Sequence, residues 1–126
     1  MGYGLKLGKE DSLQIAISNY LRLQYPHVLF CHIANERKTT PQRGKKLKRM
    51  GVRKGMPDLM VYHSKIEDSE FGVKVQSGIA LELKVKPNKP TESQLEVLEQ
   101  LEKQNWVTSV VYDFDSAKNL LDEYLK

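Results

Sequence analysis

Two apolar runs between residues 55 and 85 decide how this chain folds. Residues 55–62 read GMPDLMVY and residues 79–85 read IALELKV, so each has the character of a β-strand. Three charged side chains interrupt them: Asp58 at the start of the first run, and Glu82 and Lys84 within the second. Successive strand residues alternate between faces, so Glu82 and Lys84 share a face at roughly 6–7 Å along the strand.

Those three charges need a physical reason, because burying unpaired acids and a lysine costs several kcal/mol. If the two strands pair, Asp58 and Glu82 converge from adjacent backbones and can hold a divalent metal ion through hard carboxylate oxygens. A structural ion pair, Asp58–Lys84 or Glu82–Lys84 on a half-exposed sheet face, is the alternative. The Glu-x-Lys spacing alone is weak, since Glu36-Arg37-Lys38 repeats it without apolar flanks.

The composition is that of one folded domain spanning residues 1–126. The chain has 40% hydrophobic and 29% charged residues, which is typical of a globular protein. No apolar run approaches the roughly 20 residues that cross a membrane, and the first residues lack the apolar region of a signal peptide. Cys31 is the lone cysteine, which suits a reducing cytoplasm. We therefore expect a cytoplasmic protein with no membrane partner.

Positive charge is concentrated in residues 37–54. This segment carries +9 with no acid, which leaves −5 for the rest of a chain whose net charge is +4. Such clustering predicts a polyanionic partner, here DNA contacted through its backbone. A solvated loop is the alternative. The predicted nucleic-acid-binding residues are Arg37, Lys38, Arg43, Lys45, Lys46, Lys48, Arg49, Arg53 and Lys54.

Hydrophobic periodicity predicts the remaining elements. Residues 10–24 form a helix, with Leu13, Ile17 and Leu21 on its apolar face. Residues 27–34 form a strand that is buried over most of its length. A basic loop follows over residues 35–54, and strands cover residues 58–62 and 79–85. The polar segment of residues 63–77 between these strands could be a hairpin.

The C-terminal third predicts helix, strand and helix. Thr91 and Gln94 have the spacing of a capping box that starts a helix running to about residue 104. We expect Leu95, Leu98 and Leu101 on its apolar face. A strand over residues 106–112 and a helix over residues 113–125, capped by Asp115 or Ser116, complete an α/β fold. Its order is α-β-β-β-α-β-α, a mixed sheet flanked by helices with a right-handed parallel crossover at the end.

A zinc site is not favoured. His27, Cys31 and His32 lie in the first strand, but Cys31 and His32 point to opposite faces. No second cluster supplies the remaining ligands.

The charged positions and their surroundings resemble the VRR-NUC family of the PD-(D/E)XK nuclease superfamily, in particular its small stand-alone phage and bacterial members. The resemblance rests on residues 55–58, Glu82-Leu83-Lys84 and Gln94. It extends to Glu10, to Asn35-Glu36 and to residues 51–55, where Val52-Arg53-Lys54 stands in for the name-giving motif. Most of the chain is covered, although residues 63–77 are an insertion.

The resemblance implies the roles of these residues. Asp58 and Glu82 would be metal ligands for Mg²⁺ or Mn²⁺, the Leu83 carbonyl a further ligand, and Lys84 the catalytic lysine. Glu10 would reach the metal directly or through water, and Gln94 would support the site. From the residues alone, Glu10 is equally explained by the helix dipole and Gln94 by the capping box.

The sequence therefore predicts a divalent-metal-dependent DNA endonuclease with no small-molecule cofactor. The family's likeness to Holliday-junction resolvases implies a homodimer that selects branched DNA. Two other functions compete with this one. The first is a basic nucleic-acid-binding module with a vestigial metal site, and the second is an interaction protein that docks an acidic partner.

Overall fold

The computed structural model describes residues 8–34 and 40–126, which form four helices and six strands. In chain order these elements are α1 (Lys9–Gln24), β1 (Leu29–His32), α2 (Pro41–Arg49), β2 (Leu59–Tyr62), β3 (Lys65–Ser69), β4 (Gly72–Gln76), β5 (Gly78–Leu83), α3 (Glu92–Lys103), β6 (Trp106–Val111) and α4 (Phe114–Leu125).

The main sheet has the strand order β1-β2-β5-β6. Neighbours β1–β2 and β2–β5 are antiparallel, whereas β5 and β6 are parallel and joined through α3. This confirms the predicted α/β class, a mixed sheet flanked by helices. It also pairs the two apolar runs, since Leu59 lies opposite Leu81 and Met60 opposite Ala80.

Helices cover both faces of the sheet, which explains why all six residues of β5 are buried. Ile79, Leu81 and Leu83 pack into a core with α1 and α4. The alternate residues, including Ala80 and Glu82, point to the opposite face, where α3 packs. The strand carrying Glu82 is therefore buried on both sides, as is expected for a strand with a parallel neighbour.

Two elements that precede Asp58 in the chain differ from their predictions. The first strand is mostly exposed rather than buried, with Leu29 at 68% exposure, because β1 is the edge strand of the sheet. Part of the predicted basic loop is the helix α2. Thr40 caps this helix by accepting a hydrogen bond from the Arg43 amide, and Pro41 occupies its first turn, where a proline is tolerated.

Two further corrections concern the helices after the site. Val97 and Leu98 are the buried residues of α3, while Leu95, predicted on its apolar face, is half exposed. The N-cap of α4 is Asp113, which accepts the Ser116 amide, rather than Asp115 or Ser116. Both errors come from placing the helix start and its inward face by pattern without knowing the packing partner.

Residues 63–77 contain the predicted hairpin, in which β3 and β4 pair with each other and not with the main sheet. Ile66 and Val75 lie opposite each other on its outward face. The other face carries Lys65, whose Nζ donates to the Tyr124 carbonyl at 3.1 Å and sits 4.7 Å from the centre of that ring. The hairpin thus turns a polar side chain inward and apolar ones to solvent.

Across residues 8–34 and 40–126, no helix has the length and apolar character needed to traverse a bilayer.

Candidate active site

Asp58 is held from both neighbouring strands. Its backbone carbonyl accepts hydrogen bonds from the Ile33 amide at 2.9 Å and from Nδ1 of His32 at 2.7 Å, both at the end of β1. Its carboxylate Oδ2 accepts the amide of Leu83 in β5 at 2.7 Å. Asp58 lies immediately before β2, so these three contacts fix both its backbone and its side chain at the end of the sheet.

Glu82 is the most deeply buried charged residue in the described part of the chain, at 1% exposure. Its Oε2 accepts a hydrogen bond from Nε2 of Gln94 at 3.1 Å and lies 3.8 Å from Nζ of Lys84. Its Oε1 is buried without a hydrogen-bond partner among the described residues. An orphaned carboxylate oxygen in this setting is unusual and points to a missing cation or ligand.

The surroundings of Glu82 favour its neutral form until a cation arrives. Burial, the neighbouring Asp58 carboxylate and, to a smaller extent, the charge of Glu10 together raise the pKa of Glu82 to about 9. The ammonium of Lys84, whose side chain is 13% exposed, opposes this rise. Two adjacent carboxylates that resist joint ionisation are a donor set that a divalent cation would stabilise.

The residues present therefore fit a magnesium-type ion. Asp58 and Glu82 supply two carboxylates, which is the usual protein contribution to a Mg²⁺ site completed by water and substrate phosphate. In the described ranges no three His, Cys, Asp or Glu side chains gather into a self-sufficient metal cage. Glu10, in the first turn of α1, acts on Glu82 through its charge. Its metal role and that of the Leu83 carbonyl stay predictions.

Gln94 makes the contacts of a capping box and a contact to Glu82 with one side chain. Its Oε1 accepts the Thr91 amide at 2.8 Å and the Thr91 hydroxyl accepts the Gln94 amide, which completes a capping box. The remaining amide group, Nε2, donates to Glu82. The helix cap thus holds Glu82 in place with the same side chain.

Gly55 brings the loop that precedes Asp58 against the start of α3. Its φ of +87° is a left-handed conformation, and a Cβ there would stand 2.8 Å from the carbonyl oxygen of Ser93. Only glycine allows this approach without strain. The loop leading to Asp58 and the helix turn bearing Gln94 are therefore in backbone contact.

The basic residues flank this site in sequence and lie at the surface. Arg43, Lys45, Lys46, Lys48 and Arg49 are exposed on α2, which has no buried residue, and Arg53 and Lys54 are exposed in the loop before Asp58. Gly44 and Leu47 form the less exposed side of α2, so Lys45, Lys46 and Arg49 share the opposite side. Arg37 and Lys38, with Asn35 and Glu36, lie outside the described residues.

His32 is the site residue that the sequence did not reveal. The pattern suggested only a metal-like grouping with His27 and Cys31, whereas the structure sets its ring against the Asp58 carbonyl. The pairing of His32 with Leu59 brings this about. Had β1 been aligned antiparallel to β2 from the sequence, His32 would have appeared next to Asp58.

The fold and the site define a class: an α/β protein whose mixed sheet carries two carboxylates and a lysine at its strand ends. Comparison with solved structures found the same fold in a "VRR_NUC domain protein", with a TM-score of 0.71 and 23% identity over 96% of this chain and 91% of that one. A second structure, "VRR_NUC domain", has a TM-score of 0.56 and 22% identity over 94% and 99%.

The chain therefore has the VRR-NUC fold, which confirms at the level of fold the resemblance seen in the sequence. No protein-family model and no curated protein sequence matches it.

Proposed function

We propose that this protein is a nuclease that hydrolyses phosphodiester bonds in DNA with Mg²⁺ or Mn²⁺. One observation carries the proposal: the buried, unpartnered Oε1 of Glu82 beside Asp58 and Lys84. The similarity to VRR_NUC domain structures supports it. The ion pair with Lys84 and the hydrogen bond from Gln94 use only Oε2 of Glu82, so Oε1 is free to bind a cation.

Each residue of the site has a task in this reaction. Asp58 and Glu82 hold the ion, with Leu83 through its carbonyl and Glu10 as further contributors. When bound, the ion lowers the pKa of a coordinated water and offsets charge on the phosphoryl oxygens. Lys84 orients the attacking water or stabilises the developing negative charge. Gln94 keeps Glu82 in its rotamer through the 3.1 Å hydrogen bond.

The cations bring the phosphate backbone to this site. Arg53 and Lys54 lie just before Gly55 in the chain, and α2 presents Lys45, Lys46 and Arg49 on one exposed side. Contacts of this kind bind phosphate without reading bases, so the enzyme selects DNA by shape and charge. Arg43 and Lys48 add to the positive charge of α2. Arg37 and Lys38, outside the described residues, are proposed as DNA contacts from their charge alone.

The substrate we propose is branched DNA, cut by a homodimer in the cytoplasm of a bacterium or a phage-infected cell. The β3–β4 hairpin supports a contact between two copies, since Ile66 and Val73 on its outward face are 68% and 65% exposed and Phe71 in its turn is 92% exposed. Apolar patches of this kind mark interaction sites.

The decisive experiment incubates the purified protein and Mn²⁺ with linear, flap and four-way DNA and maps the cuts. We expect paired, symmetric nicks in the four-way junction, and loss of cutting with chelator or with Asp58→Ala, Glu82→Ala or Lys84→Ala. Glu67→Ala, on the face of the hairpin away from the proposed dimer contact, is the matched control and should cut normally. Cleavage that persists in chelator and in all three variants would refute the proposal.

Two further measurements test the metal binding and the dimerisation in this proposal separately. Calorimetry that detects DNA binding but no Mn²⁺ binding would favour a binding module with a vestigial site. Light scattering should give a dimer for the wild type and a monomer for Phe71→Ser/Val73→Ser. An unchanged dimer would move the contact elsewhere, whereas a monomeric wild type would remove the homodimer from the proposal.

A further inference from the structure

The backbone carbonyl of Asp58 receives two hydrogen bonds from consecutive residues at the end of β1. The Ile33 amide donates at 2.9 Å, as a continuation of the strand pairing. The imidazole of His32 adds a second contact at 2.7 Å through Nδ1. Side-chain donation to a backbone carbonyl that is already bonded is not needed for pairing the strands, so the contact calls for another reason.

This contact determines which ring nitrogen of His32 carries hydrogen. A carbonyl oxygen can only accept, so Nδ1 must be the donor and a neutral His32 must leave Nε2 unprotonated. Isolated neutral imidazoles favour hydrogen on Nε2. The fold therefore selects the less common tautomer at a position beside a candidate metal ligand.

The three contacts to Asp58 form one restraint. The carbonyl is held from β1 by His32 and Ile33, and the carboxylate is held from β5 by the Leu83 amide at 2.7 Å. Asp58 itself precedes β2, and the Ile33 bond is the continuation of the β1–β2 pairing that reaches it. The His32 ring thus limits rotation of the Asp58 backbone and, with it, the direction of the carboxylate.

We propose that His32 is a positioning residue: its Nδ1–H holds the Asp58 backbone so that the carboxylate stays aimed at the metal position next to Glu82. The metal part of this inference rests on the proposed function. The restraint on Asp58 does not, and it can be measured in the metal-free protein. Positioning groups that orient metal ligands typically contribute 10–100-fold to metal affinity or activity.

The first test is the tautomer. Nitrogen-15 NMR at alkaline pH, where imidazoles are neutral, should show His32 with hydrogen on Nδ1. The exposed His27, two residues before β1, should show the ordinary Nε2–H form and is the internal control. An Nε2–H tautomer at His32 overturns the proposal, whatever the protein does with metal.

The second test removes and restores the donor. In His32→Ala we expect the Leu83 amide, which bonds to Asp58, to exchange with solvent about tenfold faster, because the carboxylate that accepts it is less restrained. His32→Asn places an amide donor near the position of Nδ1 and should recover the wild-type rate. Equal exchange in wild type and His32→Ala, or no recovery in His32→Asn, contradicts the proposal.

The third test uses Mn²⁺ calorimetry on the same proteins. We expect His32→Ala to bind Mn²⁺ about 10–100-fold more weakly and His32→Asn to bind within about threefold of wild type. His27→Ala should bind as wild type does. Wild-type affinity in His32→Ala overturns the proposal. If the wild type itself binds no Mn²⁺, the proposed function fails, and the tautomer and exchange results still decide the role of His32.

Discussion

Two antiparallel strand pairs in this molecule use their side chains in opposite ways. In β2–β5 the apolar residues are buried, and the charges at the strand ends, Asp58 and Glu82, are each held by named partners. In β3–β4 the apolar residues Ile66, Val73 and Val75 are exposed, and a lysine packs inward on Tyr124. The first pair is a scaffold that orients chemistry, whereas the second is a surface.

The difference shows that a strand's pattern has meaning only with its partner. In both pairs successive side chains point to opposite faces. Helices cover both faces of β5, whereas nothing within the described residues covers the outward face of the hairpin. A charge in the covered pair is costly and therefore informative about function. The acids of the hairpin are solvated and carry little information. Matched substitutions in the two pairs test this contrast.

The largest effect should come from removing Asp58. Asp58→Ala deletes a metal ligand and the acceptor of the Leu83 amide, so we expect cleavage to fall by about a thousandfold or more, of order 4 kcal/mol in the activation barrier. Glu67→Ala in the hairpin, away from the proposed dimer contact, should cut at the wild-type rate. Single-turnover cleavage of a four-way junction measures both. A rate for Asp58→Ala within tenfold of wild type would show that the two pairs do not differ in this way.

Two of the three described glycines with a positive φ, Gly55 and Gly72, give the next contrast. Gly55→Ala forces a Cβ to within 2.8 Å of a backbone oxygen at φ +87°, whereas Gly72→Ala in the hairpin turn meets nothing within 4 Å at φ +121°. We expect about 3 kcal/mol of destabilisation for Gly55→Ala, combining strain and overpacking, and about 1–2 kcal/mol of strain alone for Gly72→Ala. Urea unfolding gives both values. Equal losses of stability in the two variants would show that the close approach of Gly55 to α3 adds no strain.

Replacing one valine by alanine in each strand pair deletes the same two methyl groups. Val61→Ala in β2 removes two buried methyl groups and should cost about 2–3 kcal/mol, from transfer and from the cavity left behind. Val73→Ala in β4 is 65% exposed and should change stability by no more than about 0.5 kcal/mol. Both are measured in dilute solution. A large loss at Val73 would mean that the hairpin face is covered there.

The smallest effect is electrostatic and concerns the metal-free protein. Folding raises the pKa of Glu82 from its ordinary 4.5 to about 9. The neutral carboxyl therefore contributes stability that is complete below pH 4.5 and is lost as the pH rises toward 9. We expect the Tm to fall over this range and Glu82→Gln to remove most of that fall.

The matched control for Glu82 is Glu67→Gln on the hairpin, whose side chain is 53% exposed. It should leave the Tm profile unchanged. A wild-type profile that is flat between pH 5 and pH 9 would contradict the environment derived for Glu82.

The sequence anticipates this fold wherever a pattern is local. Periodicity identifies α1 and α4, the capping box identifies α3, and the apolar runs identify β2 and β5, because each signal lies within a few turns or one strand. The exposure of β1 and the choice of which side of α3 is buried could not be predicted, since both depend on which element packs alongside. The helix α2 was missed because its charge was interpreted as a loop, although Thr40-Pro41 signals a helix start.

The candidate site divides in the same manner. Asp58, Glu82 and Lys84 stand out because charge in an apolar run is costly, and the structure brings them together. His32 does not stand out, because its role arises from the pairing of β1 with β2, in which it lies opposite Leu59. His32 and the Asp58 carbonyl that it contacts are 26 positions apart in the chain. Register of this kind is not encoded in any single window of sequence.

The side-chain amide of Gln94 links the capping of a helix to the placement of a buried carboxylate. Because Oε1 closes the first turn of α3 and Nε2 holds Glu82, fraying of that turn would release the carboxylate as well. Local opening of one helix end is thus also an opening of the reactive centre. A cation bound to Glu82 would, by the same linkage, tighten the start of a helix that it does not touch.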